Sequence, residues 1–185
     1  VKAEANYGAY VSMFAPTIAT TGMAKVISGL YRIPTIRLDF DCAFTNTVPV
    51  DAIRGAGKPE ALFLLERLVD IAAHETGRSP IELRRLNLLR PEDMPYAAAS
   101  GHTYDAADCP LLFETALSHA DVVGFEARRA ASETAGKRRG LGLSCHLHGT
   151  GGIADEHVVV QVEPDRLVAC LGTQSQGQGH ETIFA

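Results

Sequence analysis

The spacing of apolar positions changes several times along the chain, and each change marks an element. Residues 1–14 (VKAEANYGAYVSMF) alternate partly with a period of about two, which predicts a strand ending in a bulge or turn at Gly8. A helical patch is expected from about Thr21 to Leu30. Tyr31 to Asn46 (YRIPTIRLDFDCAFTN) alternates again, with β-branched and aromatic members, and predicts one or two strands. Pro34 confines that segment to a sheet edge or a strand start. The clearest helical pattern runs from Pro59 to Thr76, where Leu62, Leu65, Leu68, Val69 and Ala72 recur on one face. Pro59 and Glu60 suit its first turn, and Gly77 ends it.

Ser79-Pro80-Ile81-Glu82 places a hydroxyl at an N-cap, proline at the first helical position and an acid at the third, launching a short helix that stops before Pro91. Residues 91–108, rich in Pro, Gly, Ser and Asp, read as a long connection and a domain boundary. A further amphipathic, alanine-rich helix is expected from about Pro110 to Ser132. From Gly136 the pattern turns to strands: RGLGLSCHLHG, then EHVVVQVEP and RLVACLGTQ, the last two joined by a Pro164-Asp165 turn into a hairpin. No internal repeat is visible, and the chain reads as a mixed α+β or α/β fold.

Composition narrows the classes. At 185 residues the chain holds one ordinary domain or parts of two, and 46% hydrophobic with 21% charged residues is the balance of a folded protein. A net charge of -5 gives no electrostatic reason to expect nucleic acid or a membrane surface as partner. Apolar runs are broken well before a membrane-spanning length, no secretory signal is visible, and a cytoplasmic protein is expected. Cys42, Cys109, Cys145 and Cys170 form no CxxC pair, so free and mostly buried thiols in a reducing compartment are expected. Val1 and the Phe184-Ala185 end, directly after a glycine-rich motif, read as cuts from a longer protein.

Three motifs bear on chemistry. In Ala52-Ile53-Arg54-Gly55-Ala56-Gly57-Lys58-Pro59-Glu60-Ala61 a loop of small residues feeds the start of the best helix, so backbone amides can approach an anion there and Arg54 adds a forked donor. The plainer reading is a tight connecting loop with Arg54 solvated, and spacing alone favours it; the loop is neither a Walker loop nor GxGxxG. In Gly172-Thr173-Gln174-Ser175-Gln176-Gly177-Gln178-Gly179-His180-Glu181, glycines alternate with amides and a hydroxyl, which suits a polar, uncharged ligand such as a pterin or nucleotide. A polar turn after a strand is the alternative. His146 and His148 would share one strand face, with His157 and His180 further on, but structural histidines are favoured over zinc ligands because a third ligand is not evident. Glu60, Asp70, Glu75 and Glu82 belong to helix starts or solvent faces, and Lys137-Arg138-Arg139 to a solvated turn.

Taken in order, NYGAYVSMFAP, YRIPTIR, AIRGAGKPEA, ELRRLNLLRPEDMPY, KRRGLGLSCHLHGTGG and GTQSQGQGHET resemble the middle of the molybdenum-binding subunit of the xanthine dehydrogenase/aldehyde oxidase family. The resemblance extends over nearly the whole chain and is greatest to the bacterial branch that includes the carbon monoxide dehydrogenase large subunit. It implies parts of two molybdopterin-binding domains, the end of one in residues 1–96 and the opening of another in residues 97–185. It implies that Arg54, Gly55 and Ala56 line the molybdenum site and that Gln176, Gly177, Gln178 and Gly179 contact the pterin, with no metal ligand in this segment. Gly55 replaces the copper-holding cysteine of carbon monoxide dehydrogenases, which implies that copper–molybdenum chemistry is absent. Ala56 replaces an aromatic residue of xanthine-oxidising members and Gly22 their substrate-binding arginine, which implies an aldehyde or an aromatic heterocycle rather than hypoxanthine.

The family's catalytic glutamate and an earlier glycine-rich cofactor loop have no counterpart in these residues. The implied activity is an oxidative hydroxylation with water as oxygen source. The implied cofactor is molybdopterin, including its cytosine dinucleotide form, with iron–sulfur clusters and FAD on partner subunits or domains. The other implied partners are the small-molecule substrate, the remainder of the same subunit and further copies in an oligomer. A degenerate paralogue that keeps the fold without cofactor, and a small pterin- or nucleotide-binding module, are the rival readings.

Overall fold

The computed structural model describes residues 1–149 and 155–184. Packing divides the chain into two compact units, Val1–His148 and Gly149–Ala185.

In the first unit β1 (Lys2–Asn6) pairs in parallel with β2 (Asp39–Ala43), Lys2 opposite Asp39 and Asn6 opposite Ala43. The chain leaves β1 through the expected turn at Gly8, where φ is 74°. Helix starts earlier than the pattern predicts: α1 (Ala15–Thr17) runs into a π-helical turn, Ile18–Gly22. The chain then turns through Gly29 (φ 54°), so the patch ends before Leu30. Of the segment Tyr31–Asn46 only β2 joins a ladder, and Tyr31 makes a single bridge to Leu88.

Helix α2 (Lys58–Glu75) follows the reading of the sequence closely. At its C-terminus Gly77 N donates to His74 O at 3.1 Å and Arg78 N to Ala73 O at 2.9 Å, a Schellman closure that needs the left-handed Gly77. In α3 (Pro80–Asn87) the Ser79 hydroxyl accepts from Ile81 N at 3.2 Å, as its N-cap position requires. A short hairpin, β3 (Tyr96–Ala97) with β4 (Thr103–Tyr104), occupies the long connection.

The expected helix over residues 110–132 is two helices, α4 (Cys109–His119) and α5 (Phe125–Thr134). Asp121 breaks it, with φ 46° and a carboxylate that accepts from Gly124 N at 3.1 Å. Arg128 fixes the corner, bonding the Asp121 carboxylate and the Ala120 carbonyl. Residues 139–149, expected as a strand, carry no ladder among the described residues; side chains hold Leu143 O and Cys145 N instead.

Two clusters form the core, with α2 between them. Tyr31, Leu65, Leu88, Leu89, Cys109, Phe113, Leu117 and Cys145 make the larger, and Met23, Val26, Ile27 and Ala61 the smaller. Full burial of Leu88 or Leu89 contributes about 1.5–3 kcal/mol each. Cys109 and Cys145 are buried as expected, whereas Cys42 and Cys170 are exposed, each on a two-stranded sheet with an uncovered face. Among the described residues no helix is long and apolar enough to cross a membrane.

In the second unit β5 (Val158–Val162) and β6 (Leu167–Leu171) form the expected antiparallel hairpin, closed by Glu163 N donating to Arg166 O at 2.9 Å. Val158, Val159, Val160, Val162 and Leu167 are all exposed on it. A single turn of helix, α6 (His180–Ile183), follows the glycine-rich motif.

Candidate functional site

The loop before α2 is a knot of backbone turns. Ala56 N donates to Ile53 O and Lys58 N to Gly55 O, both at 2.9 Å. Consecutive turns of this kind need left-handed residues, supplied by Gly55 (φ 113°) and Gly57 (φ 84°). Asp51 anchors the entry, its carboxylate accepting from the Ser12 hydroxyl and from Ala52 N at 2.7 Å each. Those two bonds, the Ser12 bond first, hold the Asp51 pKa below its ordinary value.

Glycine also lets this loop touch the π-helical turn. A Cβ on Gly57 would lie 2.2 Å from the Ile18 carbonyl oxygen, and a Cβ on Gly22 would lie 2.9 Å from that of Ala56. The loop therefore interlocks with residues 18–22 by backbone contact and cannot shift alone. Arg54 is exposed at its apex, and the 18 residues of α2 point their positive end at it.

His146 and His148 stack, ring centroids 5.9 Å apart and planes at 22°. They do so outside any assigned strand, not on a strand face. Slight desolvation at this exposed position, then the nearby charges of Lys58, His146 and Arg54, lower the His148 pKa, so its imidazole is mainly neutral at pH 7. His148 is thus within electrostatic reach of Lys58 and Arg54 of the first motif, whereas His157 and His180 belong to the second unit. Thr150, Gly151 and Gly152 of HLHGTGG lie outside the described residues. Among the described residues no group of three or more His, Cys, Asp or Glu could hold a metal ion.

The amide-rich loop belongs to the second unit and is ordered by its own side chain. Gln178 accepts from Gln176 N through Oε1 and donates to Gln174 O through Nε2 at 3.3 Å. Gly177 (φ 90°) and Gly179 (φ 75°) give the loop its bends. A Cβ on Gly179 would meet nothing within 4 Å, so one face of the backbone lies open.

Two features escaped the sequence reading. The first is a cleft of about 720 Å³ between β1 and α2, lined by Ala3, Ala5, Tyr7, Phe63, Leu64 and Leu68 among others. The second is a buried ion pair, Glu66 with Arg84, at 2.9 Å. Tyr31 OH donates to Glu66 Oε1 at 2.6 Å and Cys145 N to Oε2 at 2.9 Å. Arg84 also pairs with Asp70 at 2.9 Å, so Asp70 is engaged rather than merely solvated. Burial alone would lower the Arg84 pKa, but the hydrogen bond and charge of Glu66, then the Asp70 bond, raise it overall. Burial, then bonds to Cys145 and Glu66, push the Tyr31 phenol above its usual range. The available signal was a charged pair inside otherwise apolar helix faces, Glu66 in LFLLERLV and Arg84 in IELRRLN.

A glycine loop locked on a helix start, with a separate open loop rich in amides, is the equipment of a cofactor-binding protein. Comparison with known proteins makes that class specific. Residues 1–88 match the molybdopterin cofactor-binding domain family. The chain is 32% identical over 188 residues to the 6-hydroxypseudooxynicotine dehydrogenase complex subunit gamma of Paenarthrobacter nicotinovorans, covering 97% of this chain and 23% of that one. It is 28% identical over 204 residues to the carbon monoxide dehydrogenase large chain of Hydrogenophaga pseudoflava, covering 100% of this chain and 25% of that one. The crystal structure of quinoline 2-oxidoreductase from Pseudomonas putida 86 superposes with a TM-score of 0.82 at 28% identity, over 98% of this chain and 25% of that chain. Residues 1–88 thus carry a molybdopterin cofactor-binding domain, and the chain is similar over nearly its whole length to subunits of the xanthine dehydrogenase/aldehyde oxidase type, spanning about a quarter of the length of these relatives.

Proposed function

We propose that this chain supplies part of the molybdopterin cradle in the large subunit of a molybdenum hydroxylase that acts on an aldehyde or an aromatic heterocycle. The observation that carries the reading is the Gly55–Gly57 loop, bent by two left-handed glycines, locked to residues 18–22 and set on the positive end of α2. The donor chemistry fits the group. Arg54, Gly55 and Ala56 offer a cation and closely approachable backbone, and the loop Gln176-Gly177-Gln178-Gly179 offers neutral donors and acceptors on an open glycine face. Gln178 acts mainly by holding that loop in shape, with its remaining amide proton and lone pair left for the pterin.

When bound, the cofactor supplies two-electron redox chemistry with water as oxygen source. The chain supplies part of the cradle through Arg54–Ala56 and Gln176–Gly179; the general base and the other cofactor loop come from the rest of the subunit. Ala56 carries no bulky side chain above the loop, which leaves room for substrate, while Gly22 is needed for the close backbone contact with Thr17 and Ala56. Residues 1–96 then end one molybdopterin-binding domain and residues 97–185 open the next, a division supported by the family match ending at residue 88. The α4 side chains Phe113 and Leu117 pack with Leu65 and Leu88, tying the second domain's opening to the first. Iron–sulfur and FAD subunits or domains accept the electrons, in keeping with relatives described as a complex subunit and a large chain.

Metal and pterin analysis of the purified full-length protein, wild type and Gln178→Ala, tests the reading. Near-stoichiometric molybdenum and pterin in the wild type, and a fall in the variant, are expected, since a misplaced loop leaves buried polar groups unpaired at about 1–3 kcal/mol. A wild type without molybdenum or pterin makes the protein a degenerate paralogue.

A further inference from the structure

The segment leading to the histidine pair has no strand partner, yet its polar groups are held. Arg84 donates to Leu143 O at 3.2 Å, and Cys145 N donates to Glu66 Oε2 at 2.9 Å. Glu66 also takes the Tyr31 hydroxyl, so one carboxylate joins three distant stretches of chain. A buried ion pair contributes little net stability, because losing water offsets most of its attraction. Its effect here is placement.

Distances along the chain indicate what is placed. From Glu66 back to Lys58 is eight helical residues, about 12 Å along α2. From Cys145 on to His148 is three residues, at most about 10 Å. Three residues beyond the Glu66 anchor are therefore enough for the His148 side chain to reach the glycine loop at the start of α2. The influence of Lys58 and Arg54 on His148 agrees with that reach.

We infer that the Glu66–Arg84 pair is a positioning device that straps residues 143–148 along α2, so that His148 and the Arg54–Lys58 loop form one surface toward the cofactor. The inference rests on the proposed function only in naming the cofactor as what that surface faces. Neutral His148 offers this surface one donor and one acceptor beside the cations Arg54 and Lys58, a combination suited to a phosphate or an oxo group. Glu66 and Arg84 act through the strap and touch no ligand.

The test compares hydrogen exchange and cofactor content in the full-length subunit within its complex. Glu66→Gln is expected to speed exchange in peptides covering 143–149 and 52–60, with molybdenum and pterin content falling about tenfold, as when an outer partner of a bound group is lost. Tyr31→Phe removes a different bond to the same carboxylate; it is expected to lower thermal stability while leaving exchange at 52–60 and cofactor content unchanged. His148→Ala, an exposed substitution that does not threaten the fold, is expected to lower cofactor content with exchange at 143–147 unchanged. Faster exchange at 143–149 with 52–60 and cofactor content as in wild type would overturn the inference, as would wild-type cofactor content in His148→Ala. Should Glu66→Gln fail to fold, the His148→Ala and Tyr31→Phe results decide alone. A wild type lacking molybdenum and pterin refutes the proposed function, while the paired exchange at 143–149 and 52–60 still decides the strap.

Discussion

The two ends of α2 offer a matched pair of substitutions that separates backbone conformation from close approach. Gly57 at the N-cap and Gly77 after the C-cap are both left-handed, with φ of 84° and 65°. Alanine at either position carries the left-handed penalty, about 1–2 kcal/mol. At Gly77 nothing lies within 4 Å of the new methyl group, so the penalty ends there. At Gly57 the methyl would stand 2.2 Å from the Ile18 carbonyl oxygen, 2.6 Å from Met23 N and 2.7 Å from Gly22 C. All three are backbone atoms, which no rotamer change can move aside, and overpacking of this kind adds about 1–3 kcal/mol. Gly57→Ala is thus expected to cost about 2–5 kcal/mol in total and Gly77→Ala about 1–2. At about 2–4 °C per kcal/mol for a protein of this size, the melting temperature falls by about 4–20 °C in the first and 2–8 °C in the second. Thermal and denaturant unfolding of both variants give the comparison. Equal losses would refute the interlock between the glycine loop and residues 18–22.

The core and the surface pairs can be checked in the same way. Phe113→Ala removes a buried ring from the larger cluster and is expected to cost about 3–5 kcal/mol, while Leu112→Ala next to it, 68% exposed, stays within about 0.5 kcal/mol. A comparable shift in denaturant midpoint for both would place the α4 face wrongly. The Arg85 hydrogen bond holds the Glu114 pKa below its ordinary 4.5. A depressed folded value means a contribution present above pH 4.5 and lost as pH falls through the folded pKa. Both side chains are about half exposed, so it amounts to less than about 1 kcal/mol. Glu114→Gln is expected to flatten the acid limb of the stability curve, and an unchanged limb counts against the pair.

What the sequence revealed was local. Both ends of α2 carry residues with one physical use, Pro59 in the first turn and Gly77 in the closing turn, so its limits could be read directly. The same holds for Ser79 before α3 and Pro164-Asp165 between β5 and β6. The break between α4 and α5 was hidden because it has no proline; it depends on Asp121 being gripped by Arg128 from the following helix. The stretch 139–149 alternates like a strand, but Leu143 O and Cys145 N pair with the side chains of Arg84 and Glu66. Periodicity has no access to a pairing between residues 79 positions apart. For the candidate site, the glycine loops were legible as loops. The effect of Lys58 on His148 was not, since the two are 90 positions apart in the chain.

The hairpin of the second unit has a practical consequence for handling the protein. Val158-Val159-Val160-Gln161-Val162 is a short, β-branched, uncharged strand whose valines are 54–80% exposed. A strand of that composition with an open edge is a template for edge-to-edge pairing with another chain. Solutions of the 185-residue chain are accordingly expected to turn cloudy with concentration. A lysine at Val160, in the middle of the strand, would act as a gatekeeper and keep such solutions clear.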